Sequence, residues 1–469
     1  MNPHQKKKES ISLFFEPRSI GVVGSLREGY FGGYVVIKTL LNAGFSGKIF
    51  PVNPSYNEVL GIKVYPSIKE IPEKIDLVLI IINRRSVPNI LRECAMKGIK
   101  RVIVVADGFA ERDEEGVKLQ EEIVTIARGA GIRIIGPNTA GIVNTANGLM
   151  PIPYEPGYRK IKPGSIAICA QTGMINPQAF PYSDLSYGLS KICDFGNKCD
   201  VDEVDLLEYL EHDPATRVIT MYLESIRDGK RFLETSKRVT LKKPVLILKS
   251  GRTQEGARVS ASHTGAMAMN DQIFSAACKQ AGIIRLERFS ELFELPKIFS
   301  LQPLPRGNRL GIVSFTGGVG VLAIDESKKY GLPLVNLSSK TLRKLNGIFP
   351  GLGKTIVDLG PPMAVNNYIT IYADVIKTVL KDNRIDCILN IIWASPFKEF
   401  VEEYLRFYHE LKGTYRKTIA TWIYGPSISL IHQLANGLED LGFPVFSDIE
   451  TAVKALGIAY QYSLRKERS

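Results

Sequence analysis

Runs of four to eight apolar, largely β-branched residues recur along this chain, and each is followed by a stretch whose apolar positions fall three and four apart. Continuous apolar runs of that length suit strands buried on both faces, and the following spacing suits amphipathic helices. The alternation predicts stacked βα units around parallel sheets, an α/β fold. In the first segment, strands are predicted at 19–24, 48–52, 77–82, 101–105 and 132–135, with a helix at 34–43. The turn-forming run Lys162-Pro163-Gly164 opens a second segment, with strands at 165–169, 189–193, 218–223 and 245–249. A polar, Pro-rich run from Leu301 to Asn308 marks the next boundary, and a strand at 310–315 opens a third α/β segment. The expected domains are 1–150, 151–302 and 303–469. There is also a short internal echo. Ala170-Gln171-Thr172-Gly173 and Phe315-Thr316-Gly317-Gly318 each follow a strand and precede a predicted helix, as two similar α/β domains in one chain would give.

Length and composition agree with this division. The 469 residues exceed one ordinary core. An apolar content of 45% with 23% charged residues is that of a globular chain, not a disordered one. The polar start, Met1 to Lys8, does not resemble a signal peptide, and no apolar run approaches the roughly 20 residues of a membrane-spanning helix. Six cysteines without a Cys-x-x-Cys pair indicate neither a disulfide framework nor a zinc site, and no metal site is expected. A cytoplasmic location is expected. The net charge of +12 raises nucleic-acid binding, but the basic residues are spread along the chain. No nucleic-acid or membrane partner is expected.

Two stretches carry candidate chemistry. Gly21-Val-Val-Gly24-Ser25-Leu-Arg27-Glu-Gly29-Tyr-Phe-Gly32-Gly33 leads from the first strand into a helix, where glycines let a phosphate reach backbone amides and the positive helix end. The spacing is not Gly-x-Gly-x-x-Gly, and Asn53 stands where an NAD site places an acid for the ribose. Both features weigh against a Rossmann oxidoreductase. A longer, Arg-containing loop suits another phosphorylated adenosine, coenzyme A in particular. The second stretch is Gly256-Ala-Arg258-Val-Ser260-Ala-Ser262-His263-Thr264-Gly265. A neutral imidazole is a competent phosphoryl acceptor near neutral pH, and Ser262, Thr264 and the Gly265 backbone supply donors for phosphate oxygens. The competing reading is a histidine satisfied in a tight turn.

These stretches, together with Phe15 to Gly24, Gly47-Lys48-Ile-Phe-Pro51-Val52-Asn53-Pro54, Gly136-Pro137-Asn138-Thr-Ala-Gly141 and Tyr222-Leu-Glu224-Ser-Ile-Arg-Asp228-Gly229, resemble the α subunit of NDP-forming acyl-CoA synthetases over nearly the whole chain. That resemblance implies a Rossmann-like CoA-binding domain followed by two flavodoxin-like α/β domains. It implies the reaction acyl-CoA + ADP (or GDP) + phosphate ⇌ carboxylate + CoA + ATP (or GTP), through an acyl phosphate and a phosphohistidine at His263. Glu224 is implied as the acid that fixes the histidine tautomer, an arrangement that raises the basicity of the attacking nitrogen; the competing reading pairs Glu224 with Arg227. Gly24, Ser25, Arg27, Gly32, Gly33, Lys48, Asn53 and Asn83 are implied for CoA. Asn138, Gln171, Thr172, Gly173, Ser262, Thr264 and Gly265 are implied for the acyl group and phosphate.

The sequence departs from the family pattern at Ala170-Gln171-Thr172-Gly173-Met174, where Ser-Gln-Ser-Gly-Ala is usual. It departs again at Thr355-Ile356-Val-Asp358 and at Gly317-Gly318-Val319-Gly320. Met174 and Ile175 are expected to reshape the acyl pocket. No ATP-grasp module is recognisable, so the resemblance implies a separate β subunit holding Mg²⁺ and ADP or ATP, in a hetero-oligomer. The alternative is a non-catalytic CoA- or acyl-CoA-binding regulatory protein on the same scaffold.

Overall fold

The computed structural model describes residues 11–154, 161–177, 179–264, 270–352, 356–364 and 367–468; of 183, 260–264 and 364 only the backbone is described. The chain separates into two compact units, Met1–Glu287 and Arg288–Ser469. The first holds two large sheets and a two-stranded one, Glu58–Val59 with Ile62–Lys63, and the second holds one sheet.

In the first sheet, β1 (Ser19–Gly24), β2 (Lys48–Val52), β3 (Leu77–Ile81), β4 (Arg101–Val104) and β5 (Arg133–Ile135) run parallel in the order β2-β1-β3-β4-β5. The second sheet joins β6 (Ile142–Asn144), β7 (Pro163–Ala170), β8 (Leu189–Asp194), β9 (Val218–Leu223), β10 (Val245–Lys249) and β11 (Ile284–Leu286) in the order β11-β10-β9-β7-β8-β6. Only β6 is antiparallel, against β8. The third sheet has β12 (Leu310–Ser314), β13 (Ile356–Asp358), β14 (Cys387–Trp393), β15 (Thr418–Tyr424) and β16 (Val445–Phe446), all parallel, in the order β13-β12-β14-β15-β16. The five parallel strands of each large sheet therefore repeat one doubly wound order, 2-1-3-4-5, which places a crevice at the carboxyl ends of the first and third of them.

Local chemistry explains the elements. Leu77–Ile81 and Val245–Lys249, both interior strands, are buried along their whole length, as continuous apolar runs require. Helix Glu114–Ala130 starts where the Asp113 carboxylate accepts from Gly116 N, carries Glu114 and Glu115 in its first turn, and ends at Gly131 with φ +66°. Side-chain cap, acidic first turn and left-handed glycine are the expected start and stop signals.

The predicted strands at 19–24, 48–52, 218–223 and 245–249 coincide with the observed ones. The second unit begins at Arg288, earlier than the linker at 301–308 suggests. Helices Glu291–Glu294 and Pro296–Leu301 pack in it, held by buried pairs from Lys454 to Glu291 and Lys297 to Glu439, 2.9 and 2.8 Å. All six cysteines are buried free thiols. Among the described residues no helix is long and apolar enough to cross a membrane.

Candidate active site at the ends of two sheets

The loop after β1 is built for close backbone approach. A Cβ on Gly24 would stand 2.9 Å from the Ile81 carbonyl oxygen, and one on Gly33 would stand 3.1 Å from that of Ser25. Gly32 has φ +122°, a conformation that favours glycine. The Gly32 N–H donates to Pro153 O and the Tyr34 N–H to Ser25 O, each at 3.0 Å, which fixes the start of helix Gly33–Asn42. Ser25 and Arg27 are exposed beside that helix start. A hydroxyl, a guanidinium and the positive end of a helix are groups of the kind that hold a phosphate.

Asn53 lies at the same edge, but its amide serves the protein. Nδ2 donates to Gly24 O and Oδ1 accepts from Ser55 N, both at 2.9 Å. Lys48 does not join this group. It is the first residue of β2, opposite Ser19, at the other end of the paired strands from Gly24, and it pairs with Glu73. Asn83 accepts from Arg85 N at 3.0 Å and faces a cavity.

That cavity, of about 710 Å³, is where the first two sheets meet. The ends of β3 and β4 contribute Ile81, Asn83 and Ala106, and the second sheet contributes Gly173 and Asp194. Between them lies the turn at Asn138, which has φ +59°, donates its N–H to Ala106 O at 2.9 Å and its Nδ2 to Asn197 Oδ1 at 3.3 Å. The tilted rings of Phe31 and Tyr154 form part of the exposed side.

The crevice of the second sheet lies between β7 and β9. Gln171 N donates to Tyr222 O at 3.1 Å. The buried Gln171 Oε1 accepts from Glu224 N at 2.8 Å and Ser225 N at 3.0 Å. Expected as a phosphate contact, Gln171 instead seats the backbone that carries Glu224. Thr172 caps the turn Gly173–Ile175 by accepting from Met174 N. Glu224 is half-buried and accepts from Tyr222 OH at 3.4 Å. The Arg227 guanidinium donates to the carbonyls of Lys198, Cys199 and Asp200. Helix Gln254–Thr264 continues through the backbone of Ser262, His263 and Thr264, where the competing reading placed a tight turn. Their side chains, and all of Gly265, lie outside the described residues.

Two residues at this crevice escaped the sequence reading. Asp194 ends β8 and is 1% exposed, accepting from Ala140 N at 2.7 Å and Gly196 N at 3.0 Å. Burial pushes its carboxyl up to about 6, against those N–H donors, and the Glu224 charge pushes the same way. Asn176, directly after the Gly173 turn, is fully buried, and neither atom of its side-chain amide has a hydrogen-bond partner among the described residues. An unpaired buried amide costs about 1–3 kcal/mol, which a bound polar group would offset. An acid closing an apolar strand was the available signal for Asp194; Asn176 offered none.

Residues 18–145 match the CoA binding domain family, and residues 163–299 the succinyl-CoA ligase like flavodoxin domain. The α subunit of acetate–CoA ligase [ADP-forming] I of Pyrococcus furiosus is 34% identical over 98% of this chain and 99% of its own length. Acetate–CoA ligase [ADP-forming] II of Archaeoglobus fulgidus is 35% identical over 97% of this chain and 67% of its own length. Among solved structures, the dinucleotide-forming acetyl-coenzyme A synthetase 1 of Candidatus Korarchaeum cryptofilum, in complex with phosphate and ADP, is similar with a TM-score of 0.86. It is 28% identical, and the match covers 98% of each chain. The crevices at the ends of the first two sheets thus lie in the two domains that these families define, and the chain belongs to the ADP-forming acetate–CoA ligase family of acyl-CoA synthetases.

Proposed function

We propose that this chain is the acyl-CoA-handling subunit of an ADP-forming acyl-CoA synthetase. The carrying observation is the single cavity shared by Asn83 and Asn138 of the CoA-binding domain and by Gly173 and Asp194 of the ligase domain. A thioester entering from the Gly24–Gly33 loop along this cavity brings its carbonyl to the Thr172–Gly173 turn. A phosphate oxygen attacks the carbonyl carbon, the C–S bond breaks, and the sulfur leaves as the CoA thiol after protonation. The product is an acyl phosphate. A ring nitrogen of His263 then attacks phosphorus, the P–O bond to the acyl group breaks, and carboxylate leaves. Glu224 is assigned to the second ring nitrogen, which a carboxylate there holds in the productive tautomer. Gly24, Ser25, Arg27, Gly32 and Gly33 are assigned to the CoA phosphates.

Transfer from phosphohistidine to ADP is assigned to an ATP-grasp β subunit holding the nucleotide and Mg²⁺. Two matches support this. The Pyrococcus α subunit is covered from end to end, and the longer Archaeoglobus protein has a third of its length outside the match. Within the first unit a domain division at residue 150 is proposed, with the second unit from Arg288 as the last domain, and the location is proposed as the cytoplasm.

The test uses radiolabelled phosphate with acetyl-CoA and longer acyl-CoAs, on wild type and His263→Asn, alone and with an ATP-grasp subunit. Acid-labile, alkali-stable label on wild type only is expected. No label from any acyl-CoA under either condition would leave the CoA-binding regulatory reading in its place.

A further inference from the structure

Asp194 has no place in the phosphoryl path just described, yet it stands against it. A Cβ placed on Gly173 would lie 4.0 Å from Asp194 Oδ2, so the carboxyl borders the turn assigned to the thioester. Asp107, Phe31 and Tyr154 are exposed and form the open side of the cavity, while Asp194, Thr139 and Ala140 are buried and form the closed side. Among the described residues no lysine, arginine or histidine lines the cavity. The two N–H donors to Asp194 come from Ala140 and Gly196. The Thr139 hydroxyl also hydrogen-bonds the carboxyl; with two lone-pair directions on each oxygen, one acceptor site is then left over.

Resting on the proposed acyl-CoA reaction, we propose that Asp194 sets acyl selectivity, refusing an acyl group that carries a second carboxylate and favouring one that carries a hydroxyl. Two carboxylates cannot both ionise in a confined site without a cation, so one must take a proton or the ligand stays out. A hydroxyl, by contrast, can donate to the remaining acceptor site, and a buried acceptor discriminates well between ligands with and without a matching donor. Among the described residues, the ionisable groups facing Asp194 are Glu224 from the end of β9, Tyr154 from the segment before 155, and its neighbour Cys193 on β8; Asp107 acts on the same tyrosine. None supplies a positive charge. The refusal therefore weakens as the pH falls through the region where Asp194 gains its proton.

Three CoA thioesters of equal chain length test this: butyryl-CoA, 4-hydroxybutyryl-CoA and succinyl-CoA. Each is titrated calorimetrically into the full chain at pH 7.5 and 5.5, for wild type and Asp194→Ser. At pH 7.5, succinyl-CoA is expected to bind at least tenfold more weakly than butyryl-CoA, and 4-hydroxybutyryl-CoA most tightly. At pH 5.5 the succinyl penalty shrinks at least fivefold, and in Asp194→Ser it disappears at both pH values. Equal wild-type affinities at pH 7.5, or a penalty that survives in Asp194→Ser, overturns the assignment. The wild-type pH series decides alone if the variant does not fold. Failure of all three to bind overturns this inference together with the CoA reading. The expected order without phosphate-dependent thioester cleavage, measured with the β subunit added, would uphold Asp194 and remove only the catalytic reading.

Discussion

The second and third sheets share one frame and fill it differently. In both, strand one ends beside an aspartate that closes strand two: Ala170 is opposite Asp194, and Ser314 is opposite Asp358. In both, that aspartate accepts from the glycine N–H two residues on, Gly196 at 3.0 Å and Gly360 at 2.9 Å. The residue between donates back to strand one, Phe195 to Ala170 O and Leu359 to Ser314 O. A threonine then leads into a glycine at the next turn. By register with the third strand, Gln171 corresponds to Phe315, and Glu224 to Trp393. A polar pair at one crevice is thus an aromatic pair at the other. The surroundings differ as well. Thr172 opens a single short turn, whereas Thr316 opens the helix Gly317–Lys329. Ala140, placed by the loop before β6, closes over Asp194, whereas among the described residues the third sheet has no such edge strand and Asp358 stays half-exposed. The α/β frame supplies the crevice; a few side chains decide whether it carries chemistry.

If that contrast holds, loss of the polar pair should cost activity only at the second sheet. His263→Asn should abolish the acid-labile label altogether. Glu224→Gln should slow phosphoryl transfer about 10–100-fold, the usual effect of removing a group that orients a histidine, while Trp393→Phe leaves it unchanged in a quench-flow measurement. Comparable losses at both positions would dissolve the distinction.

A second contrast is one of titration. The Asp194 carboxyl, raised from 3.8 to about 6, binds more proton folded than unfolded between those values. Its contribution to stability is therefore full below about 4, falls as the pH rises to about 6, and stays flat above. Relative to Asp194→Ser, wild type should gain on the order of 3 kcal/mol between pH 7 and 4 in urea denaturation, by the shift at 1.36 kcal/mol per unit. A pH-independent difference would mean that the buried acid is not held protonated.

Smaller effects separate the two glycines. A Cβ on Gly317 would stand 2.9 Å from Asp358 Oδ2, whereas on Gly173 its nearest neighbour is Ala140 Cβ at 3.8 Å. Gly317→Ala should therefore cost about 1 kcal/mol, at the lower end of overpacking, and spare turnover. Gly173→Ala should fold as wild type and lose turnover, because its methyl enters the cavity. Least of all, Asn176→Leu should be neutral or stabilise the free protein by up to about 1 kcal/mol, since it removes an unpaired buried amide, and should raise KM for phosphate. Destabilisation with unchanged kinetics would make Asn176 purely structural.

Much of the frame was legible in the sequence because fully buried strands announce themselves as apolar β-branched runs. Val218–Leu223 and Val245–Lys249 were read to the residue. The Thr-Gly echo was legible too, but not its extension to Asp194 and Asp358, which depends on strand pairings between residues far apart in sequence. β6 is only three residues long, too short for any period to show. Lys48 and Gln171 illustrate the remaining difficulty. Each stands in a motif-like run, yet the direction of a strand carries one to the other end of the paired strands and burial turns the other toward backbone amides.

The three residues Ile142–Asn144 also govern how such proteins are assembled by recombination. They close the CoA-binding segment in sequence but complete the neighbouring sheet, while Asn144 Nδ2 donates back to Phe15 O. A gene junction placed after them gives the next module a naked β8 edge, open to pairing with another chain, and removes Ala140 from Asp194. A junction placed before them takes a tether from the CoA-binding module. Exchange of modules between such synthetases is therefore constrained by this seam: a transplanted CoA-binding segment must bring an edge strand that its new host can accept.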